Sequence, residues 1–381
     1  MMPAALNNDR HPEVRGRAAT EPRRATARIY PRPGPHPSRL ASLAPQDDGD
    51  RVGLVARIRM MYLRLLAAVA AVALSALPAS AQTYPAKPIK IIVSTSAGGA
   101  TDIMARILGH HITTKTGQPH VIDNRAGASG NLAMEAVARA APDGYTLGFA
   151  NTGNITINPY LFKSMSFDPL NDLVPVGPVG TVPLFLVMNS KVPAMTLAEF
   201  IAYAKANPDK VSYAGAGVGT TPDLTGGEFA RRAGLKLVVV PFRGTAPATA
   251  AVIGGDVQVT FVSMGPHIEF VRNGTLRVLA AATPTRRPYV PDVPTFAEEG
   301  FPAFEMSTWF SLFAPKGTPA AIVDQLNLYT REVQADPEAR KRLEATFVDP
   351  LVMTQAEFAA QVKADAVKYE RIVREAGIKL E

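Results

Sequence analysis

Three segments of the 381-residue chain end an apolar run with glycine, serine and threonine and then begin a helical pattern. They are residues 94–102 (STSAGGATD), 215–223 (GAGVGTTPD) and 242–247 (FRGTAP). A loop of this kind presents backbone N–H groups and hydroxyls at a helix N-terminus, where an anion can bind. An ordinary structural strand-to-helix turn can have the same composition. The occurrence of three such loops in one chain nevertheless favours an anion-binding site.

The second segment is not a nucleotide-binding motif. The dinucleotide pattern G-x-G-x-x-G requires glycine at position 220, which is Thr220, and the preceding strand does not open the domain. The chain also has no glycine-rich loop with the lysine of nucleoside triphosphate sites. Nucleotides are therefore disfavoured as the anion.

Residues with catalytic or metal-binding chemistry are few. The chain has no cysteine, and residues 127–130 (GASG) fall one residue short of the serine nucleophile motif. The four histidines after residue 82 are His110, His111, His120 and His267, without metal-ligand spacing. We therefore predict surface or turn positions for them, and no catalytic residue, metal or cofactor.

The basic charge is confined to the N-terminal region. The net charge is +7, but residues 1–81 contain 12 arginines against six acidic residues. The remainder has 28 basic and 27 acidic residues, so nucleic acid is not an expected partner. Residues 1–59 are rich in Arg, Pro and Ala, and we expect a disordered or over-extended leader.

Residues 60–81 have the pattern of a signal peptide. Basic residues precede an apolar stretch at 65–77, and Ala79-Ser80-Ala81 forms a cleavage site before Gln82. The apolar stretch is short for a membrane span. A buried N-terminal helix and an organellar transit peptide are the alternatives. We expect translation to start at Met60 or Met61 and cleavage after Ala81, giving an exported protein without a lipid anchor.

Strand and helix patterns alternate from residue 89 onward. The predicted strands are 89–93, 118–122, 146–150, 184–188, 211–214, 236–240, 257–262 and 276–282. The predicted helices are 101–116, 131–141, 197–207, 224–233, 246–254, 320–334, 337–346 and 355–376. This order predicts largely parallel sheets covered by helices, with residues 283–319 as an ordered connection.

A series of segments resembles the Bug-type periplasmic substrate-binding proteins of tripartite tricarboxylate transporters. In chain order they are YPAKPIKIIVSTSAGGATDIMAR, VIDNRAGASGN, APDGYTL, PFRGTAPA, PDVPTFAEEGFPAFE and STWFSLFAPKGTP. The resemblance implies an α/β type II periplasmic binding fold: two α/β domains, a ligand cleft and two crossover segments. We expect domain 1 at 84–187 plus 303–381, domain 2 at 188–302, and crossovers near 184–189 and 301–309.

The resemblance also implies a carboxylate held by loops of both domains. By position, the ligand-binding residues are Ser96, Ala97, Gly98, Gly99, Thr101, Asp102, Asn151, Gly217, Gly219, Thr220, Thr221, Asp223, Gly244, Thr245 and Ala246. We expect Asp102 to orient its loop, because a second carboxylate would repel the ligand. Arg243 is either a carboxylate clamp or a surface residue.

Three positions in two of the loops depart from the family pattern. Ser94 and Thr95 stand where relatives have Pro and Phe, and Asp223 stands where they have His. As a hypothesis, Asp223 could meet an ammonium group and favour an amino acid over a di- or tricarboxylate. An Asp223→Ala variant that bound every ligand as the parent does would refute it.

The resemblance favours capture of a small organic acid or amino acid by a monomer that delivers it to membrane permease subunits. A periplasmic sensor that presents the ligand to a receptor kinase is the first alternative. An enzyme, such as a hydrolase, is the second alternative and predicts turnover.

Overall fold

The computed structural model describes residues 49–75 and 84–379. The chain divides into two compact units, residues 1–79 and 80–381. The strands are β1 (Ile89–Val93), β2 (His120–Asn124), β3 (Thr146–Asn151), β4 (Leu173–Pro183), β5 (Phe185–Asn189), β6 (Ser212–Gly215), β7 (Val238–Pro241), β8 (Val259–Val262), β9 (Leu276–Ala281) and β10 (Ser307–Pro315). The helices are α1 (Gly49–Ser75), α2 (Ala100–Thr116), α3 (Asn131–Ala138), α4 (Asn158–Leu161), α5 (Leu197–Ala206), α6 (Thr221–Ala233), α7 (Thr245–Gly254), α8 (Ile268–Arg272), α9 (Ala320–Ala335), α10 (Pro337–Ala345) and α11 (Gln355–Ala376).

The first unit contributes one described element, helix α1. Its side chains are exposed from residue 53 to residue 69. Residues 49–59 of the predicted disordered leader lie in this helix, where Leu, Ala and Arg favour helical structure, and the rest of the leader stays a prediction. Residues 1–48 and the predicted cleavage site after Ala81 lie outside the described residues. Within 49–75 and 84–379, no helix combines the length and hydropathy that crossing a membrane requires.

The second unit contains two five-stranded sheets, each the centre of one lobe. Sheet 1 has the order β2-β1-β3-β10-β4, and sheet 2 has the order β7-β6-β8-β5-β9. Strands β1, β2 and β3 are parallel, as are β6, β7 and β8. The prediction of largely parallel sheets holds for these strands, but each sheet also contains one reversed strand.

The reversed strands, β5 and β10, are the first strands that the chain forms after it crosses from one lobe to the other. Strand β5 is antiparallel to β8 and β9, and β10 is antiparallel to β3 and β4. Phe185, the first residue of β5, lies opposite Val262, the last residue of β8. A strand that starts at the carboxyl ends of the parallel strands must run against them. Both crossings therefore lie at the edge where the carboxyl ends of the strands meet.

The first change of sheet occurs at Leu184, between the end of β4 and the start of β5. The predicted boundary after residue 187 instead cuts β5, whose strand neighbours belong to sheet 2. Phe304 and Met306 pack in the apolar core of the second lobe, and Ser307 begins β10. The sheets thus alter both predicted boundaries by a few residues.

Helix α11 packs on both lobes. Phe358 and Val362 belong to a core cluster with Trp309 of sheet 1. Further along the helix, Tyr369 and Ile372 belong to the core of the second lobe. A continuous helix therefore links the two cores in addition to the two crossings.

Candidate functional site

The N-terminal turns of three helices meet at one cavity of about 280 Å³ between the lobes. Ala100 contributes the start of α2 from the first lobe, whereas Pro222 and Thr245 contribute the first turns of α6 and α7 from the second. The first N–H groups of a helix have no carbonyl partner within it, and the helix dipole is positive there. We call this space the interlobe cavity. Its complete lining is Ala100, Ile103, Met104, Val182, Leu184, Pro222, Thr245, Val262, Ser263, Pro266, Thr308, Phe310, Thr346 and Val348.

The lining combines apolar side chains with hydroxyls and contains no charged residue. The polar side chains are Thr245, Ser263, Thr308 and Thr346. They come from both lobes, because Thr308 lies on β10 and Ser263 follows β8. Any charge on a ligand in this cavity must therefore be stabilised by backbone N–H groups and hydroxyls.

The first loop is held in place by Asp102, the third residue of α2. Its buried carboxylate accepts hydrogen bonds from Gly98 N (2.9 Å), Arg106 Nε (2.9 Å) and Asn124 Nδ2 (3.0 Å). Burial raises the pKa of Asp102, but these hydrogen bonds outweigh it and leave the pKa below its usual value. Both carboxylate oxygens are engaged within the lobe. Asp102 thus occupies the loop-orienting position that the sequence predicts.

Asp223 occupies the equivalent position in the second lobe. It is the third residue of α6, and its carboxylate accepts a hydrogen bond from Gly219 N at 3.2 Å. Burial raises the pKa of Asp223 more than this hydrogen bond lowers it. Its side chain lines a separate cavity of about 630 Å³ beside α6 and β7. This placement disfavours the hypothesis of an ammonium partner, because Asp223 does not line the interlobe cavity.

The third loop places α7 against the same cavity. Gly244 precedes the helix with φ +113°, and Thr245 lines the cavity, whereas Ala246 is exposed. Arg243 is exposed, and no acidic group of the described residues pairs with it. Its two interpretations, a carboxylate clamp and a surface residue, both remain open.

A buried asparagine joins the ends of β1 and β3 to the turn that precedes α3, next to the first loop. Asn154 Oδ1 accepts hydrogen bonds from Ser94 Oγ (2.7 Å) and Asn151 N (3.0 Å), and Nδ2 donates to Ser129 O (2.7 Å). Ser94 is therefore a buried structural residue. Thr95 differs, because its hydroxyl is buried without a partner among the described residues. Asn151 accepts from Gly153 N at 2.9 Å and does not line the interlobe cavity.

The predicted site residues surround the cavity more than they line it. Thr245 alone is in the lining, although Ala100 and Pro222 adjoin predicted positions. Nine further predicted positions fall into three groups by burial. Ser96, Ala97, Gly98, Gly99 and Thr220 are exposed in their loops; Gly217 is half-buried; Thr101, Gly219 and Thr221 are buried.

The prediction missed the walls of the cavity. Val182, Thr308 and Phe310 lie on β4 and β10, neither of which the sequence pattern revealed. Ser263 directly follows β8, and the sequence SMGP at 263–266 repeats the strand-to-small-residue plan of the three loops. That similarity is a signal that could have found Ser263.

The second loop also packs against helix α4. Gly219 has φ +75°, and a Cβ atom there would overlap the side chain of Leu161 at the end of α4. Leu161 is buried in the core cluster of the second lobe. The absence of a side chain at Gly219 thus allows the donor loop and α4 to pack together.

We expect Gly219→Ala to destabilise the protein more than Gly234→Ala. Gly234 has φ +63°, and a Cβ atom there would meet no heavy atom within 4 Å, so it isolates the backbone effect. A left-handed non-glycine residue costs about 1–2 kcal/mol, and overpacking typically costs about 1–3 kcal/mol more. Urea unfolding of both variants measures the difference. Equal losses would show that the Leu161 contact does not constrain the loop, and adding Leu161→Ala should remove the excess at Gly219.

The histidines are placed only partly as predicted. His267 is buried in a turn, with Nδ1 2.6 Å from Ser263 O and Nε2 2.9 Å from Thr249 Oγ1. Burial lowers the pKa of His267 below its usual value. His111 is buried on α2 near Glu332, so the predicted surface or turn position is wrong there. Over 49–75 and 84–379, no group of three or more His, Asp or Glu is arranged to hold a metal ion.

The comparisons with known proteins agree with this geometry. Residues 104–378 match the family described as tripartite tricarboxylate transporter family receptor. Protein BugT of Bordetella pertussis is 37% identical over 325 residues, which cover 84% of this chain and all of BugT. The structure of Rhodopseudomonas palustris Rpa4515 with adipate is 30% identical, with TM-score 0.67, covering 78% of this chain and 99% of that one.

A second structure from the same organism is similar to this chain as well. MatC (Rpa3494) of R. palustris with bound malate is 31% identical, with TM-score 0.63, and covers 76% of this chain and all of MatC. The two lobes, the two crossings and the cavity between them are the α/β architecture of type II periplasmic binding proteins. The chain therefore belongs to the tripartite tricarboxylate transporter receptor family of periplasmic solute-binding proteins, the Bug-type family.

Proposed function

We propose that this chain binds a carboxylate-bearing solute in the interlobe cavity and delivers it to the membrane subunits of a tripartite tricarboxylate-type transporter. The observation that supports the proposal most is the meeting of three helix N-termini, from both lobes, at one cavity without an acidic side chain. The exported, periplasmic form that begins after Ala81 belongs to the same proposal.

The physical basis is the affinity of helix N-termini for anions. Each N-terminus stabilises a negative charge by about 0.3–1 kcal/mol when exposed and by up to about 2 kcal/mol when partly buried. Hydrogen bonds from N–H groups to a carboxylate are charge-assisted and stronger than neutral ones. Because α2 belongs to one lobe and α6 and α7 to the other, a carboxylate bound by both would also stabilise the closed arrangement of the lobes.

The ligands named for the related structures support the same class. Rpa4515 was solved with adipate, and MatC with malate. Both compounds are small carboxylates. The loops of this chain that match the family pattern are those that begin α2, α6 and α7.

Thermal unfolding with matched ligands tests the proposal. Adipate, malate and hexanoate should each be compared with the corresponding neutral amide at the same concentration. A ligand at 100 times its Kd stabilises the native state by about 2.7 kcal/mol, so at least one acid should raise Tm by several degrees while its amide does not. Equal shifts with acid and amide, or no shift with any acid, would contradict carboxylate binding.

Two further readouts separate the alternatives. Nuclear magnetic resonance of the ligand after incubation should show it unchanged, whereas an enzyme would convert it. If the chain serves a transporter, cells that lack it should take up less labelled ligand than the parent cells. If it only presents the ligand to a receptor kinase, its loss should leave uptake by an expressed transporter unchanged.

A further inference from the structure

We infer that the solute is a monocarboxylate with an apolar body, rather than a di- or tricarboxylate or an amino acid. This inference rests on the proposed function, since it assumes that the solute's carboxylate lies at the helix N-termini around the interlobe cavity. It follows from the side chains that line the remainder of that cavity.

The walls of the cavity are mainly aliphatic and aromatic. Five apolar residues line the cavity from three parts of the fold. Ile103 and Met104 come from α2, Val182 and Leu184 from the crossing, and Phe310 from the reversed strand β10. Apolar groups removed from water by such walls contribute about 25 cal/mol for each Å² buried. A hydrocarbon chain or ring is therefore the complementary body for a ligand.

A second carboxylate has no cationic partner in this cavity. None of the lining residues is basic. Arg106 is bound to Asp102 at 2.9 Å, and Arg243 is exposed outside the lining. Burying an ionised carboxylate without a charge partner or several hydrogen bonds is strongly unfavourable. The convergent N-termini can stabilise one carboxylate, whereas the aliphatic and aromatic side chains of the lining cannot stabilise another.

An ammonium group has no anionic partner there either. The acidic residues nearest to the helix starts, Asp102 and Asp223, accept hydrogen bonds from Gly98 and Gly219 of their own loops and do not line the cavity. An α-amino acid would bring its ammonium group within a few ångströms of its carboxylate, next to N–H donors. Like partial charges repel there, so an amino acid should bind more weakly than the acid without the amino group.

The size of the cavity and its hydroxyls limit the ligand further. A volume of about 280 Å³ lies just below the roughly 300–1,000 Å³ typical of sites for drug-sized ligands. Thr245, Ser263, Thr308 and Thr346 offer neutral hydrogen bonds, which suit at most a few polar substituents. The ligand class is thus a small aliphatic or arylaliphatic monocarboxylate.

Isothermal titration calorimetry with two matched pairs tests this inference. Hexanoate differs from adipate by one carboxylate, and 3-phenylpropanoate differs from phenylalanine by one ammonium group. In at least one pair the monocarboxylate should bind at least about tenfold more tightly, and in neither pair should the doubly charged compound be preferred. Tighter binding of adipate or phenylalanine would overturn the inference and leave carboxylate binding intact. Binding of none of the four acids would overturn both.

A variant adds the charge that the cavity lacks. Ile103 lines the cavity and is 37% exposed, so Ile103→Arg should fold and supply a cation near the ligand. We expect the ratio of adipate to hexanoate affinity to rise at least about tenfold in this variant. Leu328→Arg is the control, because Leu328 is 42% exposed on α9 and does not line the cavity. An unchanged ratio in Ile103→Arg, or the same rise in Leu328→Arg, would show that the ligand body does not lie against these walls.

Discussion

Replacing Asp102 with alanine is expected to weaken carboxylate binding by about tenfold or more, which corresponds to about 1.4 kcal/mol. The carboxylate fixes the first loop by accepting hydrogen bonds from Gly98 N and Asn124 Nδ2. Without it, the loop loses the conformation that begins α2, and a bound ligand would have to order it. The unfolding free energy should also fall by about 1–3 kcal/mol, since buried charge-assisted hydrogen bonds are lost.

The change in charge acts in the opposite direction but is smaller. Removing a negative group near an anion site would by itself favour the anion. Asp102 is already paired with Arg106 at 2.9 Å, and that guanidinium is half exposed to water. The electrostatic gain should therefore be screened, and the loss of loop order should dominate.

Titration calorimetry of two other variants completes this test. Asp102→Asn keeps an oxygen that can accept from Gly98 N, so its affinity should lie between those of the parent and Asp102→Ala. Asp143→Ala removes an exposed carboxylate that pairs with Lys87 near the start of β3, and it should bind as the parent does. Unchanged affinity in Asp102→Ala would show that the loop conformation does not depend on this carboxylate.

Replacing Glu228 with glutamine is expected to lower the unfolding free energy by about 2–3 kcal/mol at neutral pH. The carboxylate is buried on α6 and accepts hydrogen bonds from Arg231 Nε (2.8 Å), Arg232 Nε (2.8 Å) and Arg371 (3.0 Å). Arg371 lies on α11, so this cluster also fastens that helix to the second lobe. The neutral amide would leave Arg231 and Arg371 with Glu375 as their remaining acidic partner, and Arg232 without one among the described residues.

The same cluster predicts how stability depends on pH. Burial raises the pKa of Glu228, but the hydrogen bonds from the three arginines outweigh it and lower the pKa to about 2. A carboxyl whose pKa is depressed in the folded state stabilises the fold fully above its unfolded pKa of about 4.3. That contribution is lost as pH falls from there to about 2. The difference between the parent and Glu228→Gln should therefore shrink over this interval.

Urea unfolding at pH 7, 4 and 3 measures both effects. Glu344→Gln is the matched control, because Glu344 pairs with Arg340 on α10 and both side chains are more than half exposed. It should change the unfolding free energy by less than about 0.5 kcal/mol. A loss for Glu228→Gln no larger than that of the control, or one independent of pH, would contradict the role assigned to the cluster.

The sequence pattern was sufficient for the parallel strands and their helices. Each predicted helix from residue 101 onward overlaps one in the structure, because apolar residues recur with helical spacing and glycines such as Gly117 and Gly234 end helices in the left-handed conformation. Strands β4 and β10 were missed. Strand β4 contains three prolines and two glycines (LVPVGPVGTVP), which normally argue against a strand.

The missed strands also explain what the sequence could not predict about the site. Helix starts are visible locally as small residues before a helical pattern, so the three donor loops could be identified. The cavity walls come from Val182, Thr308 and Phe310, which meet the loops only through the reversed strand and the crossing. The orientation of Asp223 toward Gly219 is a local contact across four residues, but the sequence alone equally allowed the side chain to face a ligand.

A crystal structure of the chain with a bound monocarboxylate, such as 3-phenylpropanoate, tests most directly whether the converging helix N-termini form the binding site. We expect the carboxylate in the interlobe cavity, with its oxygens within about 3.5 Å of backbone N–H groups in the first turns of α2 and of α6 or α7. The apolar body should lie against Met104 and Phe310. A carboxylate bound instead in the cavity beside Asp223, or away from every one of these helix starts, would contradict the proposed site.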